Sequence, residues 1–521
     1  MLVKSYAAAV KGIDAIIVTV ETVVDRGMQY CIVGLPDAAV KESQERVRSA
    51  ITQSGYNIGR AKVVINMAPA DVKKEGSSYD LPIAVAILVG AGAIKAPELD
   101  KYMIMGELSL DGSLQPVRGV LPMAIAARAA GFKGMIVPRA NATEAAVVNN
   151  LEVYGLDSLR EVIDLLSGAS VPEPVVVDTR AEFAAALGNF DYDFSEVKGQ
   201  ENVKRAFEVA CAGGHNILLV GPPGSGKSMM AKRLPSIMPP LGLREALETT
   251  KIHSVAGKLR RGSRLMTARP FRSPHHTVSP VAMVGGGSNP MPGEISLAHN
   301  GILFLDEFPE FPRAVLEVLR QPLEDRHISV SRARYQVDYP ASFMLVASMN
   351  PCPCGYYNHP TKACTCPAGA VQKYLGRISG PLLDRIDIQC EIMPVPFDEL
   401  AARPTGETSA DIRARVVRAR EIQAARFADE PSVHCNAQMG PRHIAAHCAL
   451  TPDCAAILRK AMLKYDMSAR AYDRILKVAR TAADLDACPE ILPRHISEAI
   501  SYRNLDRGTW GTMSNAASSG L

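Results

Sequence analysis

Residues 216–234 read NILLVGPPGSGKSMMAKRL, and the fold turns on how they are parsed. The apolar run ILLV predicts a buried strand, the glycines a loop, and the segment after them the start of a helix. Gly221, Pro222, Pro223, Gly224, Ser225, Gly226, Lys227 and Ser228 fit the spacing G-x-x-x-x-G-K-[ST]. That spacing needs a strand before it and a helix after it, and both are here, which makes a chance loop match the lesser reading. The chemistry it encodes is phosphate binding. Glycines let backbone N–H groups curl around phosphate oxygens, and the helix start adds positive potential. Lys227 is placed for the β and γ oxygens of a nucleoside triphosphate, and the Ser228 hydroxyl for Mg²⁺.

Two strands downstream extend the site. GILFLDE, residues 301–307, is an apolar run ending in two carboxylates. Asp306 is expected to hold Mg²⁺ through water, and Glu307 to polarise the attacking water. A surface acidic pair is the bland alternative, and a strand running straight into it argues against that. FMLVASMN, residues 343–350, ends at Asn350, an amide suited to orienting the water or touching the γ-phosphate.

The rest of the chain sets bounds. Its 521 residues suit about three domains at ~150 residues each. With 47% hydrophobic residues it can build real cores. No run approaches the ~18 apolar residues of a membrane helix, and no signal peptide is evident, so a cytoplasmic protein with no membrane partner is expected. A net charge of +4 neither demands nor excludes nucleic acid, so any basic footprint must be local. Seven scattered cysteines (Cys31, Cys211, Cys390, Cys435, Cys448, Cys454, Cys488) read as reduced thiols. Alternating strand-like and helix-like runs predict an α/β domain over 1–170, a Pro- and Val-rich linker over 171–192, and a second α/β segment over 193–394. Residues 395–507 read as almost purely helical, and 508–521 as a disordered tail.

GPPGSGKS, LFLDE, SMN and GPLLDRID in this order resemble an AAA+ ATPase. With GLPDAAVKESQERVRSAI, RPFRSPHHT, NPCPCGYY and SARAYDRILKVARTAADL, the chain is similar to the ComM/YifB family of magnesium-chelatase-like AAA+ ATPases. The resemblance implies an AAA+ core with a helical lid, working with ATP and Mg²⁺ as a homo-oligomeric ring, usually a hexamer, with nucleotide between neighbours. It implies that Arg385 is an arginine finger acting on the adjacent subunit's ATP, and that Arg470 is the sensor 2 arginine of the lid. Arginine suits both roles, because its planar, permanently charged fork stabilises charge on a γ-phosphate. From the residues alone, each is as readily an ion-pair partner.

KKEGSSYDLPIAVAIL with GELSLDGSLQPVRGVLPMAIAARAAGF is similar to the proteolytic domain of Lon, a ribosomal S5 domain 2-like fold. Ser78 falls where that family has its nucleophile, and Leu121 where it has the activating lysine. A leucine accepts no proton, and Lys73 or Lys74 would need hydrogen-bond geometry with the serine, so no peptidase activity is expected.

PCPCGYYNHPTKACTCP sets Cys352, Cys354, Cys364 and Cys366 in two close pairs. Four thiolates can close a structural Zn²⁺ site, although C-x-C is tighter than the usual spacing. Free thiols or a redox-sensitive loop are the alternatives, and His359 is a possible substitute ligand.

Between Lys251 and Gly293 there is no acidic residue, while Lys251, Lys258, Arg260, Arg261, Arg264, Arg269 and Arg272 are basic. Solvated loop charge is the plain reading, and a DNA-tracking pore segment the functional one. His275 and His276 read as a polar loop pair. ISVSRARYQVDYP, residues 328–340, alternates about a break and predicts a hairpin with Arg332 and Arg334 at its turn. These arginines either grip DNA phosphates or pair with carboxylates of a neighbouring subunit. The family resemblance makes the chain a DNA motor of the branch-migration type, acting on single-stranded or branched DNA. A chelatase-type ATPase driving metal insertion and a protein remodeller or protease stay open beside it.

Overall fold

The computed structural model describes residues 1–179, 190–259, 265–287, 290–332, 335–395, 406–430 and 432–503. The expected tail, Arg260, Arg261, Arg264 and Arg334 lie outside them, as do parts of the linker and of the boundary near 395.

The first layer is a mixed seven-stranded sheet. Across it run Tyr30–Val33, Ala61–Ala68, Asp14–Arg26, Leu2–Lys11, Tyr102–Ile104, Gly134–Pro138 and Glu152–Leu156. The long strands Leu2–Lys11, Asp14–Arg26 and Ala61–Ala68 pair antiparallel, and the remaining pairs are parallel. Helix Asp80–Gly90 carries almost no polar side chain and is buried on every side, as expected of a helix inside a core. The strand Leu2–Lys11 was not legible in the sequence, where its alanines suggest no strand. It forms because Gly12, at φ +66°, turns the chain so that Lys11 faces Asp14 and ten residue pairs zip together. Part of the expected linker is packed. The Val175 N–H donates to the Val153 carbonyl at 2.8 Å, and Val177 is buried.

The second layer is a five-stranded parallel sheet in the order Phe271–Arg272, Ile302–Leu305, Met344–Met349, Ile217–Val220, Ile388–Glu391. Its three inner strands are apolar and fully buried, the pattern of a parallel sheet covered on both faces. The order sets Met344–Met349 between the glycine-loop strand and the strand leading to Asp306. All three therefore end side by side.

Five helices follow: Ser409–Arg426, Pro441–His447, Pro452–Tyr465, Ala469–Leu485 and Pro493–Ser501. They share one hydrophobic cluster with Ile217, Leu219 and Ile388 of the sheet. The hairpin is present, with His327–Arg332 antiparallel to Tyr335–Pro340 and Arg332 opposite Tyr335. Its base packs on the opposite face of the sheet, with Val330, Val337 and Tyr339 buried.

Candidate active site

The strand ends bring the expected residues together. The Lys227 ammonium donates to the Gly221 and Pro222 carbonyls at 2.7 and 2.9 Å and to Asn350 Oδ1 at 3.2 Å. Burial pushes this lysine below its ordinary pKa, against the pull of Asp306. The Ser228 hydroxyl donates to Asp306 Oδ2 at 2.5 Å. The other oxygen of Asp306 accepts from the Ser348 hydroxyl, and from the Glu307 N–H at 3.0 Å. A pocket of about 530 Å³ opens over them, lined among others by Lys227, Asp306, Glu307, Asn350, Lys373 and Tyr374.

Glu307 follows the strand with φ +53°, a left-handed conformation that non-glycine residues seldom adopt. It turns the carboxylate out of the sheet, where His276 Nδ1 lies 3.2 Å from Oε2. Ser348 and His276 are functional neighbours that the sequence reading missed. Ser348 was hidden inside an apolar run. His276 reaches Glu307 from another strand's flank, and the only hint was its place beside Phe271–Arg272.

Arg385 and Arg470 are not among the residues lining this pocket. Arg385 is mostly buried, 2.5 Å from Glu324 and donating to the Pro381 carbonyl at 2.6 Å, with Nε left without a partner. Arg470 is exposed and 3.4 Å from Asp384. One helical turn on, Arg474 meets buried Asp387 at 2.6 Å. Asp387 also accepts from His215. The arginine thus sits between two carboxylates that helix Ala469–Leu485 grips. Asn216, just before the glycine-loop strand, joins the same knot. Its Nδ2 donates to the Arg385 carbonyl at 3.0 Å, and its Oδ1 accepts from the Leu345 N–H at 2.9 Å.

The four clustered cysteines converge, with all four sulfurs within 4.8 Å of one another. Cys352 to Cys354, Cys352 to Cys364 and Cys354 to Cys364 measure 3.3, 3.7 and 3.5 Å. His359 turns away, accepting N–H groups of Thr361 and Lys362. Among the described residues of the basic run, three cationic side chains have acidic partners within the chain. Lys251 pairs with Asp14, Arg269 with Glu245, and Arg272 with Glu294. Lys258 is exposed.

In the first sheet, Ser78 lies on the turn Ser77–Tyr79, at the rim of a cleft of about 740 Å³. Leu121 is buried, its N–H donating to Glu144 at 2.9 Å. Lys74 is buried and donates to the Pro69 carbonyl, and Lys73 pairs with Glu75.

Comparison with known proteins agrees with this geometry. The family model for magnesium chelatase, subunit ChlI, matches residues 193–400. The models for subunit ChlI of Mg-chelatase and for the ChlI C-terminal region match 20–141 and 406–503. The uncharacterized protein YifB of Salmonella typhimurium is 44% identical over 505 residues, covering 96% of this chain and 97% of that protein. Competence protein ComM of Haemophilus influenzae is 41% identical over 508 residues, covering 96% and 97%. Lon protease 2 of Syntrophobacter fumaroxidans is 28% identical over 126 residues, 23% of this chain and 15% of that protein.

Proposed function

This chain belongs to the ComM/YifB family of magnesium-chelatase-like AAA+ ATPases, and on that premise we propose a hexameric, ATP-driven motor that moves along single-stranded or branched DNA. The observation that carries the ATPase part is the meeting of Lys227, Ser228, Asp306, Glu307 and Asn350 at one pocket. Lys227 and the loop N–H groups from Gly224 to Ser228 hold the phosphates. Ser228 and Asp306 would hold Mg²⁺, which would supply charge neutralisation on the triphosphate. Glu307, steadied by His276, takes the proton of the attacking water, and Asn350 fixes the water's position. Arg385 stands outside its own chain's pocket, which suits a finger directed at a neighbour's nucleotide. For that role it must leave Glu324. Arg470, exposed beside Asp384, is read as the lid's sensor. Cys352, Cys354, Cys364 and Cys366 are read as a structural zinc site.

Three points support DNA as the track. The hairpin strand Tyr335–Pro340 feeds directly into Met344–Met349, which ends at Asn350. Its Arg332 and Arg334, with Lys258, Arg260 and Arg261, supply cations along the chain. One relative is named a competence protein. The Lon-like first domain, none of whose described residues is among those lining the phosphate pocket, is read as a scaffold or a DNA-facing collar. The matches to the ChlI subunit favour a second reading, an ATPase driving metal insertion with a partner. Hydrolysis measured with branched DNA, or with a porphyrin and partner, separates the two.

The sharper test is Arg332→Ala/Arg334→Ala. Each phosphate contact removed should lower the slope of log affinity against log salt by roughly 0.7 on single strands, with basal hydrolysis retained. An unchanged slope together with a broken ring would make these arginines interface residues.

A further inference from the structure

We propose that one Zn²⁺ bound by Cys352, Cys354, Cys364 and Cys366 fastens three walls of the nucleotide pocket together, so that nucleotide affinity depends on the metal. This rests on the ATP-site reading above and adds to it a metal requirement.

The distances identify the ligand. Tetrahedral Zn–S bonds of about 2.3 Å place sulfurs about 3.8 Å apart. The three measured separations, 3.3 to 3.7 Å, fall close to that edge. A disulfide would bring two sulfurs to about 2.05 Å, and no pair does so. Backbone donors are turned towards the cluster, with the Tyr357 N–H 3.3 Å from Cys352 Sγ. Donors of this kind stabilise thiolates, the form a metal binds. All-sulfur ligation in a tetrahedron selects zinc over hard cations.

The position of the cluster gives it a function. Cys352 lies two residues after Asn350, and Pro353, between the first two ligands, lines the pocket. Gly355 directly follows Cys354, at φ +84°, and a Cβ there would lie 2.5 Å from Pro223 Cδ. The cysteine loop is therefore pressed against the phosphate loop itself. Cys366 lies four residues before helix Ala370–Leu375, which contributes Lys373 and Tyr374 to the pocket. Between Met349 and Ala370 the chain forms no helix or strand. Short turns and the Lys362–Tyr356 contact order parts of this segment, and the cluster draws its two ends together; without it a loop of such length loses the entropy advantage of closure.

The experiment uses the full-length protein, metal analysis, and titration with a fluorescent ATP analogue. About one zinc per chain is expected. Cys364→Ser/Cys366→Ser should lose the zinc and bind the analogue on the order of tenfold more weakly. Gly355→Ala keeps every ligand but pushes a methyl into Pro223. It should retain zinc and still weaken binding by roughly tenfold, as disturbance around a metal site commonly does. Should the double variant fail to fold, the parent stripped of its zinc by a chelator decides, with the same loss of affinity expected and unchanged affinity counting against the coupling. Iron, or less than a tenth of an equivalent of zinc, overturns the metal assignment. Zinc present with unchanged affinity in the variants overturns the coupling alone. Lys227→Ala, run alongside, reports on the ATP site by itself. If it binds the analogue as the parent does, the nucleotide reading falls instead.

Discussion

Glu307 is an exposed carboxylate in a left-handed backbone conformation, which a non-glycine residue seldom adopts. Its side-chain ion-pair partner among the described residues is His276, and in the mechanism proposed above His276 positions the proton acceptor. Glu307→Gln should cut kcat by at least about 100-fold, the usual worth of a general base. His276→Ala should cut it by roughly tenfold with KM nearly unchanged, because ground-state binding does not involve it. His276→Gln should restore part of the loss by donating from a similar position. Steady-state hydrolysis measures all three, and an unchanged kcat in His276→Ala would remove the histidine from the mechanism. At this scale the sequence was readable wherever chemistry is contiguous. Lys227 and Ser228 are fixed by a spacing, and Asp306 with Glu307 by the strand that ends on them. Ser348 and His276 were not readable, because each meets its carboxylate across a sheet, 42 and 31 residues from it along the chain. The pairing inside the basic run was unreadable for the same reason. It has no acid in sequence, but Asp14, Glu245 and Glu294 neutralise three of its cations in space.

Among the elements, Met344–Met349 is the one that links the proposed phosphate site to the hairpin and to Arg385. It starts at the N–H that Asn216 accepts, and it ends at Asn350. The hairpin precedes it, and helix Arg320–Asp325 before the hairpin carries Glu324, the partner of Arg385. Asn216 ties the start of this strand to the Arg385 carbonyl. Asn216→Ala would leave that carbonyl and the Leu345 N–H buried without partners, costing about 2–3 kcal/mol. The expected signature is a lower melting temperature together with a loss of hydrolysis larger than the loss of nucleotide binding. Equal losses would mean that Asn216 only stabilises the sheet. The hairpin itself was legible from its alternation, as were the apolar inner strands. Leu2–Lys11 was not, since tertiary pairing there overrides the weak strand preference of alanine.

On the scale of the whole molecule, the two sheets are joined by helix Leu243–Val255. It lends Ala246 to the first core, joined there by Leu241 and Leu265. At this seam Ser254 donates to buried Glu144, which also accepts from the Leu121 N–H. Burial is the strongest influence on this carboxyl and raises its pKa above 4.5, against the hydrogen bonds from Ser254, Leu121 and Asn141. A carboxyl whose folded pKa is raised contributes stability below its unfolded pKa, and that contribution is lost as pH rises through the folded value. Glu144→Gln keeps an acceptor for Ser254 and Leu121 but cannot ionise. Relative to the parent, its unfolding free energy should therefore improve as pH rises from 4 to 8, by on the order of 1 kcal/mol. A constant difference across that range would show that Glu144 does not ionise there. The borrowed residues also set an order of synthesis. All seven strands of the first sheet have left the ribosome by Leu156, yet the core they enclose still lacks Leu241, Ala246 and Leu265. For the time needed to translate another hundred or so residues, the nascent chain carries an apolar gap that only its own later segment can fill. The part made first is completed only after the phosphate loop has been made, so the ribosome delivers this chain as one folding unit and not as beads on a string.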